Sequence, residues 1–352
     1  MRILIDTTFA RRAPLSGTGI YVERLCAALA ALDGVDVATA ANARRRPPAG
    51  GGLGSVRNLV ADERWTQIEL PRRARAAGAQ LIHHPLPAFA YASGLPQVVT
   101  VHDLAFEALP DKFDPAFRQI ARRTHRAAAR RAGAVVCVSQ STARDVEARW
   151  GVSPERILVA PHGAGQDLGT PPAAGEAPKP ASRGGYFLYV GDDEPRKNLA
   201  GLIAAYRLYR ERSDEPLALV LAGSAIVAEA GVRVELVPPP QRLASLYAGA
   251  VALVHCSLHE GFGMTLVEAM AAGAPVLAAR SPGVVEVCGD AARYADPTDP
   301  DSFAAAMAEI AADQGLTADL SERGRRRAER FSWTDSARIH LAAYSLAVND
   351  AR

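Results

Sequence analysis

The 352-residue chain carries 40 Lys and Arg against 38 Asp and Glu, a formal charge of +2, with 49% apolar and 22% charged residues. That length is long for one core and points to two domains of roughly 150 to 170 residues, and the near-balanced charge excludes a general nucleic-acid binder. No uncharged apolar run reaches the ~18 to 20 residues of a membrane-spanning helix, and Cys26, Cys137, Cys256 and Cys288 are widely spaced without a CxxC pair, which favours buried thiols in a reducing compartment over disulfides or zinc.

The chain opens directly into an apolar strand, "RILIDTTF", with no secretory leader ahead of it, so a cytoplasmic protein is expected. The loop "ARRAPLSGTG" follows, with Gly17 and Gly19 between the first strand and the amphipathic helix "IYVERLCAALAAL". Further strands are expected at "AQLIHH", "PQVVTVHD" and "AVVCVSQ", with helices between them. Such alternation marks a parallel sheet covered on both faces. Residues 1–165 are therefore expected to form one α/β unit, Rossmann-like in its alternation.

"HGAGQDLGTPPAAGEAPKPASRGG" is rich in Gly, Pro and Ala, and residues 166–184 are assigned to a linker or mobile loop. From 185 to 330 the strand and helix pattern restarts, through "YFLYVG", "LALVLAG", "VRVELV", "VALVHCS" and "APVLAA". In residues 331–352, "WTDSARIHLAAYSLAVND" reads as an amphipathic helix that packs back on the first domain. Ligands of open parallel sheets bind outside the carboxyl ends of the strands. A cleft between the two domains is the expected place.

The strand-to-helix loops carry the candidate chemistry. Gly17 and Gly19 read either as a tight turn or as a close backbone approach to a phosphate or sugar. A nicotinamide fingerprint fails, because its third glycine would fall at Val22 and no acidic residue cleanly ends a following strand. His102 ends the strand in "VTVHDL". Arg196 and Lys197 in "YVGDDEPRKNLAGLI" stand just before a helix, where cations oppose the macrodipole. A polyanion such as a diphosphate would explain them; two solvated loop cations are the alternative. Only three of the 40 basic residues are lysines, which singles out Lys197 a little further.

In "EGFGMTLVE" two carboxylates, Glu260 and Glu268, bracket a glycine turn and a helix start. Thr265 with Glu268 reads locally as a capping box, and Gly273 as the C-terminal stop. Neither explains Glu260. Amides of a glycine turn that opens a helix form an anion site.

Taken in order, "EPRKN", "LVLAG", "LASLY", "EGFGMTLVEAMAAGAPVLAA" and "VCGDAARYADPTD" resemble a retaining GT-B glycosyltransferase of family 4. Upstream "GTGIYVERL", "WTQIELPRRARAAGAQLIHHP", "TVHDL" and "VSQSTARDV" extend the resemblance over nearly the whole chain. It implies a nucleotide-sugar donor held mainly by the second domain. Glu260 would contact hydroxyls of the transferred sugar with the amides of Gly261, Phe262 and Gly263, and Glu268 would bind the ribose. Arg196 and Lys197 would clamp the diphosphate, with amides of Met264, Thr265 and Leu266 and a closing contact from Gly17 and Gly19. His102 would face the transferred sugar and help orient it.

The resemblance further implies same-face attack with the departing phosphate taking the acceptor's proton, without metal or organic cofactor. The chain departs from the family at Asp192, where many relatives carry arginine, at Leu236, where a glycine is common, and at His162, where asparagine is frequent. Other enzymes of this architecture (a nucleotide-sugar epimerase or a phosphorylase) or a non-catalytic nucleotide-sugar binder are the alternatives. The acceptor is expected to be a glycan or lipid-linked. The basic helix in 117–131, with Arg118, Arg122, Arg123, Arg126, Arg130 and Arg131, reads as a solvated face or as a peripheral contact with the inner membrane surface. Arg44, Arg45 and Arg46 border a Gly-rich stretch read as an acceptor lid or a disordered loop.

Overall fold

The computed structural model describes residues 1–44, 53–166 and 185–351. Arg45 and Arg46, with the glycine stretch after them, and residues 167–184 of the expected linker lie outside the described residues. The chain divides into two compact units, one of Met1–His162 with Ser332–Arg352 and one of Gly163–Phe331.

The first unit is a parallel sheet of six strands: β1 (Arg2–Asp6), β2 (Asp36–Ala40), β3 (Leu81–His84), β4 (Gln97–Val101), β5 (Ala134–Cys137) and β6 (Ile157–Val159), in the order β2-β1-β3-β4-β5-β6. Register is set by pairs such as Ile3 with Leu81 and Val99 with Val135. The central strands β3, β4 and β5 are buried along their full length, as strands covered on both faces must be. Tyr21, Leu25 and Leu29 of helix Gly17–Ala30 pack with Tyr344 and Ala347 of helix Trp333–Asp350 over one face, and Trp150, Val146 and Leu104 help to fill another cluster.

A buried polar chain ties the last helix to this sheet. The His340 Nδ1 lies 2.7 Å from the Ser336 carbonyl, so that nitrogen donates and Nε2 accepts from the Tyr21 hydroxyl at 2.8 Å. Tyr21 Oη in turn is 2.8 Å from Thr100 Oγ1, Thr100 Oγ1 is 2.9 Å from His83 Nε2, and His83 Nδ1 is 2.9 Å from the Tyr344 hydroxyl. With both imidazoles neutral, these bonds can all run in one consistent direction.

The second unit repeats the architecture with β7 (Tyr186–Val190), β8 (Ala218–Gly223), β9 (Val232–Leu236), β10 (Ala250–His255), β11 (Val276–Ala279) and β12 (Arg293–Ala295), all parallel in the order β12-β11-β10-β7-β8-β9. Strands β8 and β9 are added on one side of β7 and β10 on the other. The loops leaving β7 and β10 therefore diverge at adjacent strand ends, which is the switch point where such sheets open a crevice.

Two local expectations are corrected. Gly17 and Gly19 lie inside the first turn of helix Gly17–Ala30, not in the loop before it, and the Gly19 amide is engaged by the N-cap Ser16 side chain at 3.1 Å. A Cβ on Gly19 would stand 2.2 Å from the Ala13 carbonyl oxygen, so chain packing alone requires this glycine. The capping box is also absent. Helix Met264–Ala271 starts from Gly263 at φ 90 with no side-chain cap, and Glu268 is buried inside it. Gly273, at φ 76, does stop that helix: its amide reaches the Met270 carbonyl and the Ala274 amide reaches Ala269, the paired bonds of a Schellman end.

Candidate functional site

The loop after β7 and the loop after β10 meet at their side chains. A short 3₁₀ turn, Pro195–Lys197, carries Arg196 and Lys197 to the start of helix Leu199–Glu211, and Asn198 takes the left-handed conformation between them at φ 58. The Leu258 amide donates to the Arg196 carbonyl at 2.8 Å, and the Cys256 thiol lies 3.2 Å from the Lys197 carbonyl oxygen. The backbone of one loop is thus fixed by the other. Burial pushes the Cys256 thiol up to about 12, which leaves it a neutral donor.

Lys197 Nζ donates to Glu260 Oε1 at 2.5 Å, and Arg196 Nη1 lies 3.2 Å from Glu260 Oε2. Arg196 is also held by Glu194 at 2.9 Å. Glu260 is only 7% exposed. Burial by itself works against its ionisation, but the neighbouring Lys197 and Arg196 charges, with His255, outweigh it and hold the carboxyl well below the usual carboxylate range. The pair of cations that the sequence marked as unfavourable at a helix start is placed by this carboxylate.

Glu268 lies on the first turns of helix Met264–Ala271 and is 3% exposed. Its Oε1 accepts from the Gln166 amide at 2.8 Å and its Oε2 from the Tyr247 hydroxyl at 2.7 Å. Burial, followed by the Glu268 charge, raises the Tyr247 hydroxyl well above its ordinary value, so it stays a donor. A Cβ on Gly165 would come 2.5 Å from Glu268 Oε1. The glycine thus makes the close approach of this segment possible.

Between the two carboxylates, Gly261 and Phe262 are buried and Phe262 packs edge-on against Phe331 at 5.4 Å. Helix Pro282–Cys288 presses from behind, where a Cβ on Gly283 would stand 2.2 Å from the Glu260 carbonyl oxygen. Met264 and Thr265 head their helix with amides that have no acceptor one turn back. The Leu266 amide, expected to be free, donates to the Gly263 carbonyl at 3.0 Å. Arg196, Lys197, Glu260, Gly261, Phe262, Gly263, Met264, Thr265 and Glu268 therefore gather at one end of the second sheet.

In the first unit, His102 follows β4, with Nε2 3.0 Å from the Pro85 carbonyl. That nitrogen must donate, and burial lowers the affinity of the ring for a second proton, so Nδ1 is an acceptor. Tyr21 stands edge-on to the His102 ring at 4.8 Å, and His162 lies 5.8 Å from it. His162 itself stacks on Trp333 at 5.2 Å.

Several residues of the site were not singled out from the sequence. His255, the last residue of β10, is 5% exposed with Nε2 3.5 Å from Glu260 Oε1. A histidine at the end of an apolar strand run is indistinguishable in sequence from a core residue. Tyr247 stood within the quoted "LASLY", and Gln166 and Gly165 at the edge of the expected linker; only contact with Glu268 distinguishes them. Asp192, the departure from arginine, accepts from Ser224 Oγ at 2.6 Å, and its carbonyl from Tyr189 at 2.9 Å. Among the described residues no three His, Cys, Asp or Glu side chains are grouped to hold a metal ion.

Two six-stranded parallel sheets, with a charged site past the strand ends of the second, define an α/β protein of the GT-B class. The chain belongs to the family 4 glycosyltransferases: residues 15–165 match the model described as Glycosyltransferase Family 4, and residues 176–327 match that described as Glycosyl transferases group 1. It is similar to the O-antigen chain mannosyltransferase B of Escherichia coli, at 34% identity over 46% of this chain and 46% of that protein. It is 32% identical to the MMP alpha-(1->4)-mannosyltransferase of Mycolicibacterium hassiacum over 62% of this chain and 56% of that one. With the D-inositol 3-phosphate glycosyltransferase of Salinispora arenicola it shares 30% identity over 72% of this chain and 64% of that one. The chain thus spans between about half and about two thirds of the length of these relatives. Among solved structures, a sucrose-phosphate synthase from Thermosynechococcus elongatus shares the fold with a TM-score of 0.76 at 21% identity, over 98% of both chains. The Anabaena protein HepE, in complex with UDP and glucose, gives 0.72 at 20% identity over 98% of this chain and 99% of that one.

Proposed function

We propose that the protein is a retaining, metal-independent glycosyltransferase that moves a sugar from a nucleoside diphosphate sugar to an acceptor hydroxyl. The observation that carries this reading is the meeting of Lys197 and Arg196 with buried Glu260, one helix start away from a second buried carboxylate, Glu268. The donor's diphosphate draws Lys197 and Arg196 to itself, aided by the amides of Met264 and Thr265. Glu260 then turns to the hydroxyls of the transferred sugar beside the amides of Gly261, Phe262 and Gly263. Glu268 accepts from the ribose hydroxyls. Gly17 and His102 are the first unit's contributions, His102 Nδ1 accepting from a sugar hydroxyl.

In the transfer step the bond from C1 to the phosphate oxygen breaks and the acceptor oxygen bonds to C1 on the same face. The acceptor's proton passes to the departing phosphate. The two cations neutralise the charge that develops on that phosphate, which is the main electrostatic task. The named relatives include mannosyltransferases and glycosyltransferases of inositol phosphate, so hexose donors stand first and a glycan or lipid-linked acceptor fits. Phe117 and Ile120, 49% and 54% exposed on helix Pro115–Arg131 beside exposed Arg122 and Arg123, support a peripheral contact with an anionic membrane from the cytoplasmic side.

The test is calorimetric titration of UDP-, GDP-, ADP- and dTDP-sugars, followed by donor hydrolysis with and without EDTA. Binding of one donor is expected, abolished in Lys197→Ala, with turnover strongly reduced in Glu260→Ala and unaffected by EDTA. An anomeric assignment of the product by NMR tests retention. Binding without any turnover would favour a non-catalytic nucleotide-sugar binder, and no binding across the panel would refute the donor site.

A further inference from the structure

Glu268 enters the proposed function as the acceptor of the ribose hydroxyls, and its own placement comes from elsewhere in the second unit. Tyr247, on helix Pro240–Gly249, is fully buried and donates its hydroxyl to Glu268 Oε2 at 2.7 Å. With Leu243 and Leu246 it forms the buried face of that helix, and a core aromatic at this spacing needs no further reason. The hydroxyl does call for one. Tyr186, Tyr189, Tyr206 and Tyr294 of the same unit each donate to a backbone carbonyl, as most polar side chains inside a fold are satisfied by backbone. Tyr247 instead meets an ionisable side chain, on helix Met264–Ala271.

The opposite oxygen is fixed from a third place. The Gln166 amide donates to Oε1 at 2.8 Å, and Gly165 approaches so closely that a Cβ there would stand 2.5 Å from the same atom. Each carboxylate oxygen can accept about two hydrogen bonds, so the Tyr247 hydroxyl and the Gln166 amide set the plane of the group without using up what either oxygen can accept. The last torsion of a glutamate is broad, and an unsupported carboxylate sweeps through many orientations. Here two donors, 21 and 102 residues away in sequence, select one. A hydrogen bond to a charged group is strong only when well aligned, and a group already held in place gives up less freedom on binding.

We infer that Tyr247 and the Gly165–Gln166 backbone are positioning groups that make the site select ribonucleoside over 2′-deoxyribonucleoside diphosphates, by holding Glu268 in the orientation in which it meets the ribose hydroxyls. Without the Tyr247 hydroxyl the carboxylate is released at Oε2 and turns about its hold at Oε1. The ribose then loses its aligned acceptor, while the contacts to the diphosphate are untouched. The inference deepens the donor-site reading and rests on it.

The experiment is calorimetric titration of UDP, GDP and ADP, and of the 2′-deoxy counterpart of each, into the whole protein; the pair that binds most tightly is carried through the variants. Wild type is expected to bind the ribonucleotide ~10- to 100-fold more tightly than its 2′-deoxy partner, as loss of one hydrogen bond to a charged group implies. Tyr247→Phe is expected to bring that ratio to within ~3-fold by weakening the ribonucleotide, with the 2′-deoxy compound staying within ~2-fold of its wild-type affinity. Gly165→Ala, which presses on the other oxygen, is expected to lower the ratio in the same way and provides the test should Tyr247→Phe not fold. Tyr186→Phe deletes the hydroxyl that donates to the Leu246 carbonyl, next to Tyr247 in the chain; it is expected to lower stability and to keep the wild-type ratio. A wild-type ratio in folded Tyr247→Phe or Gly165→Ala protein, or a ratio lost equally in Tyr186→Phe, would overturn the inference and leave the donor site intact. Equal wild-type affinity for both members of the pair would remove the ribose role of Glu268 and this inference with it, and no binding by any of these nucleotides would remove the donor site as well.

Discussion

Replacing Lys197 with methionine keeps the length of the side chain and deletes the charge that lies 2.5 Å from Glu260 Oε1. Removing one partner of a buried ion pair costs ~3 to 5 kcal/mol, because the remaining charge is stranded. Glu260 keeps Arg196 at 3.2 Å, and the Lys197 side chain is 18% exposed, which moves the expected cost down to ~2 to 3 kcal/mol. In a unit of this size 1 kcal/mol shifts the melting midpoint by ~2 to 4 °C, so the transition of the second unit should fall by ~5 to 10 °C. Glu260→Gln added to Lys197→Met removes the stranded charge, and the double variant should regain most of the loss, a coupling of ~1.5 to 3 kcal/mol. The folded-state proton affinity of Glu260 is depressed, so its contribution is present above the ordinary carboxylate range and lost only as pH falls through the lower folded value. The full effect should therefore be seen anywhere between pH 6 and 8. A Lys197→Met protein that melts within ~1 °C of wild type, or a double variant with no recovery, would refute the claim that these two side chains neutralise each other.

Other consequences are open to direct measurement. Burial lowers the proton affinity of His83, His162 and His340, the last to about 4, so the unfolded chain takes up these protons first as pH drops; stability of the first unit should be full above ~6.5 and fall steeply toward pH 4, by ~1.4 kcal/mol per pH unit for each histidine that titrates on unfolding. Circular dichroism melts at several pH values would check this, and a flat profile from pH 7 to 5 would refute it. Burial also raises all four thiols, Cys26 least of them, to about 11, so thiol reagent at pH 7.5 should label native protein slowly, beginning at Cys26, and all four only in denaturant. Gly283→Ala forces a methyl to 2.2 Å from the Glu260 carbonyl oxygen and should cost ~1 to 3 kcal/mol of stability and weaken donor binding. Phe117→Ser with Ile120→Ser should reduce sedimentation with anionic lipid vesicles and leave donor hydrolysis unchanged.

Much of the fold was legible because its strands are buried on both faces. "AVVC" and "YFLYV" are unbroken apolar runs and "QVVTV" is a β-branched run broken only by Thr100 after its leading Gln97, each bounded by polar loops, so their composition alone finds them. The strands that escaped are β2, an edge strand reading "DVATA" with mixed burial, and the three-residue β6 and β12; too little apolar surface is buried there to leave a pattern. At the site, spacing exposed Glu260 and Glu268 but misassigned the local job of Glu268. A capping box is a short-range inference, and here the carboxylate is claimed by Tyr247 and the Gln166 amide, which are 21 and 102 residues away in sequence. Arg196 and Lys197 looked like a phosphate clamp because they oppose a helix dipole. That they first serve a buried carboxylate depended on two loops meeting at the switch between β7 and β10, which no single segment encodes.

The first unit is assembled from both ends of the chain, Met1–His162 and Ser332–Arg352, while the second is a single uninterrupted stretch. During synthesis, Tyr21, Thr100 and His83 leave the ribosome long before His340 and Tyr344, the groups that complete their hydrogen bonds. A nascent chain must therefore carry an apolar, half-satisfied sheet face through the making of the whole second unit. A product that stops short of helix Trp333–Asp350 lacks the His340 and Tyr344 partners of Tyr21 and His83, and its sheet face is expected to stay uncovered.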